Sequence, residues 1–308
     1  MRRDLIVVPQ GTTEDKLIDL WVRLKKSEHT QRAYRRDIEV FRAFVEKPLA
    51  EVTLEDALDF CDNLDEIEIT NRRGEAKPLE DNSKRRIINA VKSLYSFAYA
   101  SGLFPANVMA AIKPPSAKSA ISQRILSEAT VLKLILLEQD PRNHAILHTL
   151  YAAGLRVSEL CNLRWRHVIR RTEGVQLDIM SGKGDKQRHV LLSQSSWEIL
   201  SAIREGSADD DFVFQSRQEV SRAGHYKGTR LDTTTVFRIV REAARRAGVK
   251  NWSEVSPHWL RHCHGSHAID HKAPLTVVRD TLGHSNIAVT NEYAKARPDS
   301  SSSHYLPL

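Results

Sequence analysis

Apolar positions recur at helical spacing through the first third of the chain. Leu17, Leu20, Trp21 and Leu24 form one stripe, in a segment read as a helix over 13–30. Tyr34, Ile38, Phe41, Phe44 and Val45 form a second, with Ser27 or Thr30 as its cap and Pro48 near its end. The segment TLEDALDFCDNLDEI opens on Thr53, a cap residue. Ile87, Ile88, Val91, Leu94, Tyr95 and Ala98 form a further stripe that stops at Gly102. Arg32, Arg35, Arg36 and Arg42 fall off the second stripe, and Lys84, Arg85, Arg86 and Lys92 off the last one, where they are expected to meet solvent. The pattern predicts a short N-terminal arm (1–12) and an all-helical domain over 13–112.

IKPPSAKSAISQR then breaks the periodicity with two prolines and three cations, so 113–122 reads as a basic linker. The remainder predicts a second domain over 123–298. Ser127 caps a helix, NHAILHTLYAAG is a buried helix stopped by Gly154, and LRVSELCNLRWRHV restarts a short one. The period then switches to two. Val175–Met180 and His189–Leu192 flank a Gly-Lys-Gly turn, the pattern of a β-hairpin. Helices are expected at 195–205, 232–247, 258–270, Leu275–Leu282 and Ala288–Lys295, followed by a flexible polar tail, 299–308. The fold class is mainly α with a small β-sheet: an all-helical N-terminal domain and a mixed α/β C-terminal one.

Composition narrows the setting. No apolar run approaches the ~18–20 residues of a membrane span, and the apolar stretch near the N-terminus is too short for a signal peptide. Three cysteines without a CxxC predict no disulfide framework and a reducing, cytoplasmic location. The net charge of +7 points to a polyanionic partner. Lysines and arginines are spread through helical segments, which favours a folded binding surface over a basic tail.

Four pieces of the second half carry candidate chemistry. AAGLRVSEL places Arg156 after a helix-ending glycine, with Glu159 one turn on. SGKGDKQRHV puts Lys183 at a hairpin tip. HWLRH sets His258 and Arg261 on one helical face. LGHSNIAVTNEYAKA places Tyr293 nine residues after His284. In this order the pieces resemble the tyrosine recombinase (phage integrase) family. Its pattern has an arginine in G-L-R-x-x-E-L, a lysine in G-K-G-x-K-x-R, then H-x-x-R-H, L-G-H and a tyrosine about nine residues on. SEHTQRAYRRDIEVFRAFVE is similar to the family's helical, SAM-like core-binding domain. With no arm-type domain ahead of the first helix, the chain resembles the compact, Xer-like members.

The chemistry of phosphodiester cleavage agrees. Attack by an oxygen nucleophile builds charge on the non-bridging oxygens, which fixed cationic donors stabilise. Arg156 and Arg261 are the expected clamp, since a guanidinium fork matches phosphate oxygens in pairs. His284 is a further donor, Tyr293 the nucleophile, His258 the general base and Lys183 the general acid on the departing 5′ oxygen. Glu159 is expected to orient an arginine or histidine. Lys186 and Lys227 compete with Lys183, and Tyr305 in the tail lies at the wrong distance from His284. Arg32, Arg35, Arg36, Lys84, Arg85 and Arg86 are candidate DNA contacts. The product is a 3′-phosphotyrosyl link that conserves bond energy, so neither ATP nor any metal or other cofactor is expected.

Ser256–His271 holds five of the thirteen histidines. His258/His262 and His267/His271 have i,i+4 spacing that suits zinc, but one helix would spread such ligands around several faces. His262 is expected to fix the helix, and His264, His267 and His271 to be solvated or partly buried. The sequence departs from the family at HVLLS, where proline is common after the hairpin lysine, at Lys295, often histidine, and at DHKAPLTVV. The resemblance implies double-stranded DNA with a short inverted-repeat core site, and a homotetramer on two duplexes exchanging strands through a Holliday junction. The same chemistry without exchange would be a type IB topoisomerase-like nicking and closing enzyme. A DNA-binding regulator would need no tyrosine at this position.

Overall fold

Thr13 accepts the Lys16 N–H and opens helix α1, Glu14–Arg23. The helix expected over 13–30 ends early because Ser27 takes the extended backbone of an N-cap and starts α2, Glu28–Val45. Thr53 and Asp56 form a capping box on α3, Leu54–Asp62. The long helix α4, Asp81–Ala100, buries the expected stripe of Ile87, Ile88, Val91, Leu94, Tyr95 and Ala98. These helices share a core with Trp21, Ile38, Phe41 and Phe60. Tyr95 donates from its buried hydroxyl to the Leu49 carbonyl at 2.8 Å.

The first unit is not wholly helical. Strand β1, Glu68–Thr70, pairs antiparallel with β2, Ala76–Pro78. The alternation of Glu66, Ile67, Glu68 and Ile69 has period two, and Ile67 and Ile69 pack on the core. Two of the expected solvent-facing cations are also tied down. Lys92 donates to the carbonyls of Met109 (2.7 Å) and Ala110 (3.2 Å), and Lys84 pairs with Asp65.

The computed structural model describes residues 11–70, 74, 76–115, 122–180, 187–217, 228–284 and 286–295. The chain divides into two units, Met1–Lys118 and Ser119–Leu308. The second begins with α5, Glu128–Leu136, capped by Ser127, and α6, Pro141–Ala152, capped by Asp140 with Pro141 in the first turn. A short α7, Val157–Asn162, leads to a three-stranded antiparallel sheet of β3 (Val168–Arg171), β4 (Gly174–Met180) and β5 (Gln187–Leu192), in that order. The hairpin of β4 and β5 was expected and β3 was not, because its two apolar residues run straight into two arginines. Helices α8 (Gln194–Ser201), α9 (Thr233–Arg246), α10 (Pro257–Asp270), α11 (Leu275–Leu282) and α12 (Ile287–Lys295) complete the unit. Trp165, Leu147, Leu150, Leu177, Phe214, Val236 and Leu260 form its core. Among the described residues no helix is long and apolar enough to cross a membrane.

Candidate active site

Gly154 ends the turn after α6 at φ +57°, and a Cβ there would lie 2.7 Å from Leu282 and 2.9 Å from the His264 ring. That close approach brings the start of α7 against α10 and α11. Arg156 sits at the N-cap of α7. Its backbone N–H donates to Glu159 Oε2 and its Nη1 to Oε1, both at 2.8 Å, while Nη2 reaches the Gly283 carbonyl at 3.4 Å. The Arg156 side chain keeps 41% of its surface exposed.

Glu159 is buried and holds a second guanidinium. Arg188 on β5 donates through Nη1 to Oε1 at 2.8 Å and through Nη2 to Oε2 at 2.7 Å, and its Nε donates to the Thr281 carbonyl. Burial alone would raise the carboxyl's pKa. The Arg188 hydrogen bonds and charge, then the Arg156 contacts, outweigh it and hold Glu159 at about 2.

Arg261 on α10 is only 1% exposed and meets carbonyls in place of a carboxylate. Its Nη1 donates to Gly154 at 2.5 Å and its Nη2 to Leu282. Burial first, then the nearby Arg156 and Arg188, lower its pKa to about 10 against the pull of Glu159. Arg156 and Arg188 thus share one carboxylate and Arg261 meets none, which leaves a local surplus of positive charge.

Three imidazoles and the tyrosine close the site. His284, just past α11, bonds Thr290 Oγ1 through Nδ1 at 3.0 Å, and burial with the arginines lowers it to about 4. His258, in the first turn of α10, is also lowered, by burial and then by Arg261, Arg124 and Arg156. Tyr293 on α12 is 1% exposed, with its ring parallel to His284 at 6.2 Å. Burial raises its pKa while Arg261 and Arg156 pull it down. The partner of its hydroxyl is His262 Nδ1, at 2.9 Å, and not the expected His258. His258 lies behind, with its ring edge-on to His262 at 4.2 Å. A Cβ at Gly265 would sit 3.1 Å from the Tyr293 ring, so this glycine shapes the tyrosine's seat.

Of the expected site residues, Arg156, Glu159, His258, Arg261, His284 and Tyr293 come together. Lys183 lies outside the described residues, as do its rivals Lys186 and Lys227 and the tail tyrosine, Tyr305. Arg188 and His262 were given no chemical role, yet each had a signal. Arg188 shares the inward face of β5 with Val190 and Leu192, where a cation needs a partner. His262 stands one helical turn past His258.

The remaining three histidines of Ser256–His271 have structural partners. His267 is buried and bonds both the Tyr151 hydroxyl and the Leu126 carbonyl at 2.9 Å. His264 Nδ1 meets the Tyr151 carbonyl at 2.8 Å, and exposed His271 pairs with Glu128. These rings point to different neighbours, and among the described residues none of the His, Cys, Asp and Glu side chains cluster as a metal site would require.

In the first unit, Arg32 and Arg36 are exposed on α2 and Arg85 is half-buried on α4. Arg35 pairs with Asp19 at 2.6 Å. Arg86 is bidentate to buried Asp37, both bonds at 2.9 Å.

Residues 124–299 match the phage integrase family, and residues 17–102 match the phage integrase N-terminal SAM-like domain. A tyrosine recombinase of Thermosipho africanus is 31% identical over 272 residues, covering 87% of this chain and 89% of that protein. The tyrosine recombinase XerC of Neisseria gonorrhoeae is 31% identical over 291 residues, covering 91% and 90%. Among solved structures, a lambda integrase (75–356) dimer bound to a COC′ core site has a TM-score of 0.70 at 17% identity, covering 93% of this chain and 97% of that one. XerH bound to its difH substrate before cleavage has a TM-score of 0.68 at 16% identity, covering 96% and 84%.

Proposed function

The chain belongs to the phage integrase family and is a tyrosine recombinase, and from that premise we propose how its own residues cut and rejoin DNA. The substrate is duplex DNA carrying a short inverted repeat. The observation that carries this reading is the charge surplus beside the tyrosine: three guanidiniums, one carboxylate and a phenol hydroxyl within their field. Such a pocket suits a phosphodiester, which brings the missing negative charge.

Arg156 and Arg261 bind the non-bridging oxygens. Glu159 and Arg188 act through Arg156, fixing its fork. A His284 Nδ1 that accepts from Thr290 leaves Nε2–H to donate to the same phosphate. Tyr293 Oη attacks phosphorus as its proton leaves to the imidazole pair of His258 and His262. The P–O5′ bond breaks, and Lys183 protonates the departing oxygen. Reversal by another strand's 5′-hydroxyl rejoins the DNA and frees the tyrosine. Neither ATP nor a metal is needed for these steps.

The helical domain (13–112) adds phosphate contacts through Arg32, Arg36 and Arg85, while Arg35, Lys84 and Arg86 reach DNA only by giving up their carboxylates. The catalytic domain is assigned to 123–298. A lambda integrase tetramer has been solved on a Holliday junction, and four protomers on two duplexes are the corresponding assembly here, in the cytoplasm at the nucleoid.

Trapping the covalent step tests this. The protein is mixed with nicked duplex DNA, denatured, and the protein-linked DNA is sequenced, beside Tyr293→Phe and an EDTA arm. Adducts that survive EDTA, vanish in Tyr293→Phe and cluster on one inverted repeat are expected. Scattered Tyr293-dependent adducts would indicate nicking and closing without a specific site.

A further inference from the structure

The tyrosine hydroxyl already has an imidazole nitrogen at hydrogen-bonding distance. His262 Nδ1 lies 2.9 Å from Tyr293 Oη, and both side chains are buried. The geometry is held from three sides. Arg261, the preceding residue, is fixed by the Gly154 and Leu282 carbonyls. Gly265, one turn on, leaves room for the ring. His284 lies parallel to the Tyr293 ring, with 6.2 Å between ring centres. His258 touches His262 edge-on, 4.2 Å between ring centres.

Resting on the recombinase reading above, we propose that His262 takes the Tyr293 proton directly, with His258 the second imidazole in line. The Oη–H bond breaks as the Oη–P bond forms, and the proton passes to His262 Nδ1. The P–O5′ bond breaks, and the 5′ oxygen is protonated by the general acid. On rejoining, His262 returns its proton to the leaving tyrosine oxygen. No oxidant, metal or further reactant enters the balance.

The groups facing His262 explain why this acceptor works only on substrate. Burial, then His258, Arg124, Arg261 and His284, hold it neutral with a pKa of about 3. A neutral ring has one acceptor nitrogen, and with the proton on Nε2 that acceptor is Nδ1. A bound phosphodiester offsets the same arginine charges, so basicity rises when the nucleophile is needed. A general base contributes about 10²–10⁴ to a rate, whereas a group that only tethers the hydroxyl can be replaced by any hydrogen-bonding side chain of similar reach.

The test combines two readouts. ¹⁵N-histidine NMR of the full chain reports whether His262 Nδ1 carries a proton, and an unprotonated Nδ1 is expected. Single-turnover formation of the Tyr293 adduct is then measured on a nicked duplex library of randomised sequence for the parent, His262→Asn and His258→Asn. Asparagine keeps a bond to the hydroxyl but cannot take its proton. His262→Asn is expected to keep its DNA affinity and slow adduct formation about 10²-fold or more, a larger loss than His258→Asn. A protonated Nδ1, a His262→Asn rate within about threefold of the parent, or the reverse order of the two variants overturns the proposal and leaves the recombinase reading intact. If His262→Asn fails to fold, the nitrogen's protonation state and the same comparison with His262→Gln decide. Absence of any Tyr293-dependent adduct from the parent overturns the recombinase mechanism itself, and the proposal with it.

Discussion

Two buried carboxylates in this chain meet their arginines under different arithmetic. In the helical unit Asp37 meets one guanidinium, Arg86, in a closed bidentate pair. In the other unit Glu159 meets both Arg156 and Arg188, while Arg261 is buried against carbonyls alone. The first arrangement cancels its charge and needs nothing more. The second keeps a surplus that folding alone does not explain, because a buried uncompensated cation is costly. A balanced pair therefore marks architecture, and an unbalanced cluster marks a place for an anion.

The strongest way to break this contrast is to exchange the consequences. Arg261→Met keeps much of the side chain's length without its charge. Cleavage should fall by about 10²–10³-fold, as for loss of one fixed donor to a developing oxyanion, while the melting temperature changes little, because relief of a buried unpaired charge offsets the two lost carbonyl bonds. Asp37→Ala should do the opposite. It leaves Arg86 without its partner and costs about 2 kcal/mol, discounted because Arg86 is partly exposed. Its catalytic domain should still form the Tyr293 adduct. Denaturation midpoints and single-turnover rates on both variants check the pair. Equal loss of activity and stability in both would erase the distinction.

Glu159 gives the next effect, and it depends on pH. Its folded pKa of about 2 lies below the ordinary 4.5. The depression contributes stability that is fully present above 4.5 and is lost as pH falls from there through about 2. The difference corresponds to roughly 3 kcal/mol. Parent protein should therefore lose stability over this window more steeply than Glu159→Gln, which starts lower. Parallel acid-melting curves would mean that the carboxylate is not held by its two arginines.

A smaller effect sharpens the anion reading. Sulfate should raise the parent's melting temperature through the surplus charge, by about 1 kcal/mol of linkage at concentrations several times its Kd. Sulfate also stabilises proteins by exclusion from their surfaces, so Arg261→Met is the baseline. The excess over that baseline is the quantity of interest, and its disappearance at equal sulfate would remove the anion site.

The same contrast separates what could be read along the chain from what could not. The helices of the first unit were legible because their apolar residues repeat with the helical period, as Ile87, Val91, Leu94 and Ala98 do. Strand β1 escaped because its alternation is short and follows a helix directly. Strand β3 escaped because Val168 and Ile169 precede two arginines. Arg156, Glu159, His258, Arg261, His284 and Tyr293 were legible as an ordered set of residue types at set spacings. The hydrogen bond between His262 and Tyr293 was not, since it joins residues on different helices 31 positions apart, and only packing decides which imidazole of α10 faces α12. Balance of charge is likewise invisible in composition. Arg86 and Arg188 look alike as letters, and only their partners distinguish them.

Gly265 offers the finest probe of that packing. Any β-carbon there meets Tyr293 Cε2 at 3.1 Å and Leu282 Cδ1 at 3.2 Å, closer than ordinary contact. Neither neighbour is free to swing away, because the tyrosine is held at its hydroxyl and Leu282 is fully buried. Gly265→Ala should therefore cost about 1 kcal/mol through overpacking, set against alanine's better helix propensity. The displacement acts on the ring, so the hydroxyl shifts relative to His262 by a few tenths of an ångström. DNA affinity should stay at the parent's value, since no guanidinium moves, while adduct formation slows several-fold. A change in affinity with no change in rate would show that the seat of the tyrosine and the clamp of the phosphate are one rigid piece, and the contrast between architecture and site would have to be redrawn inside α10 itself.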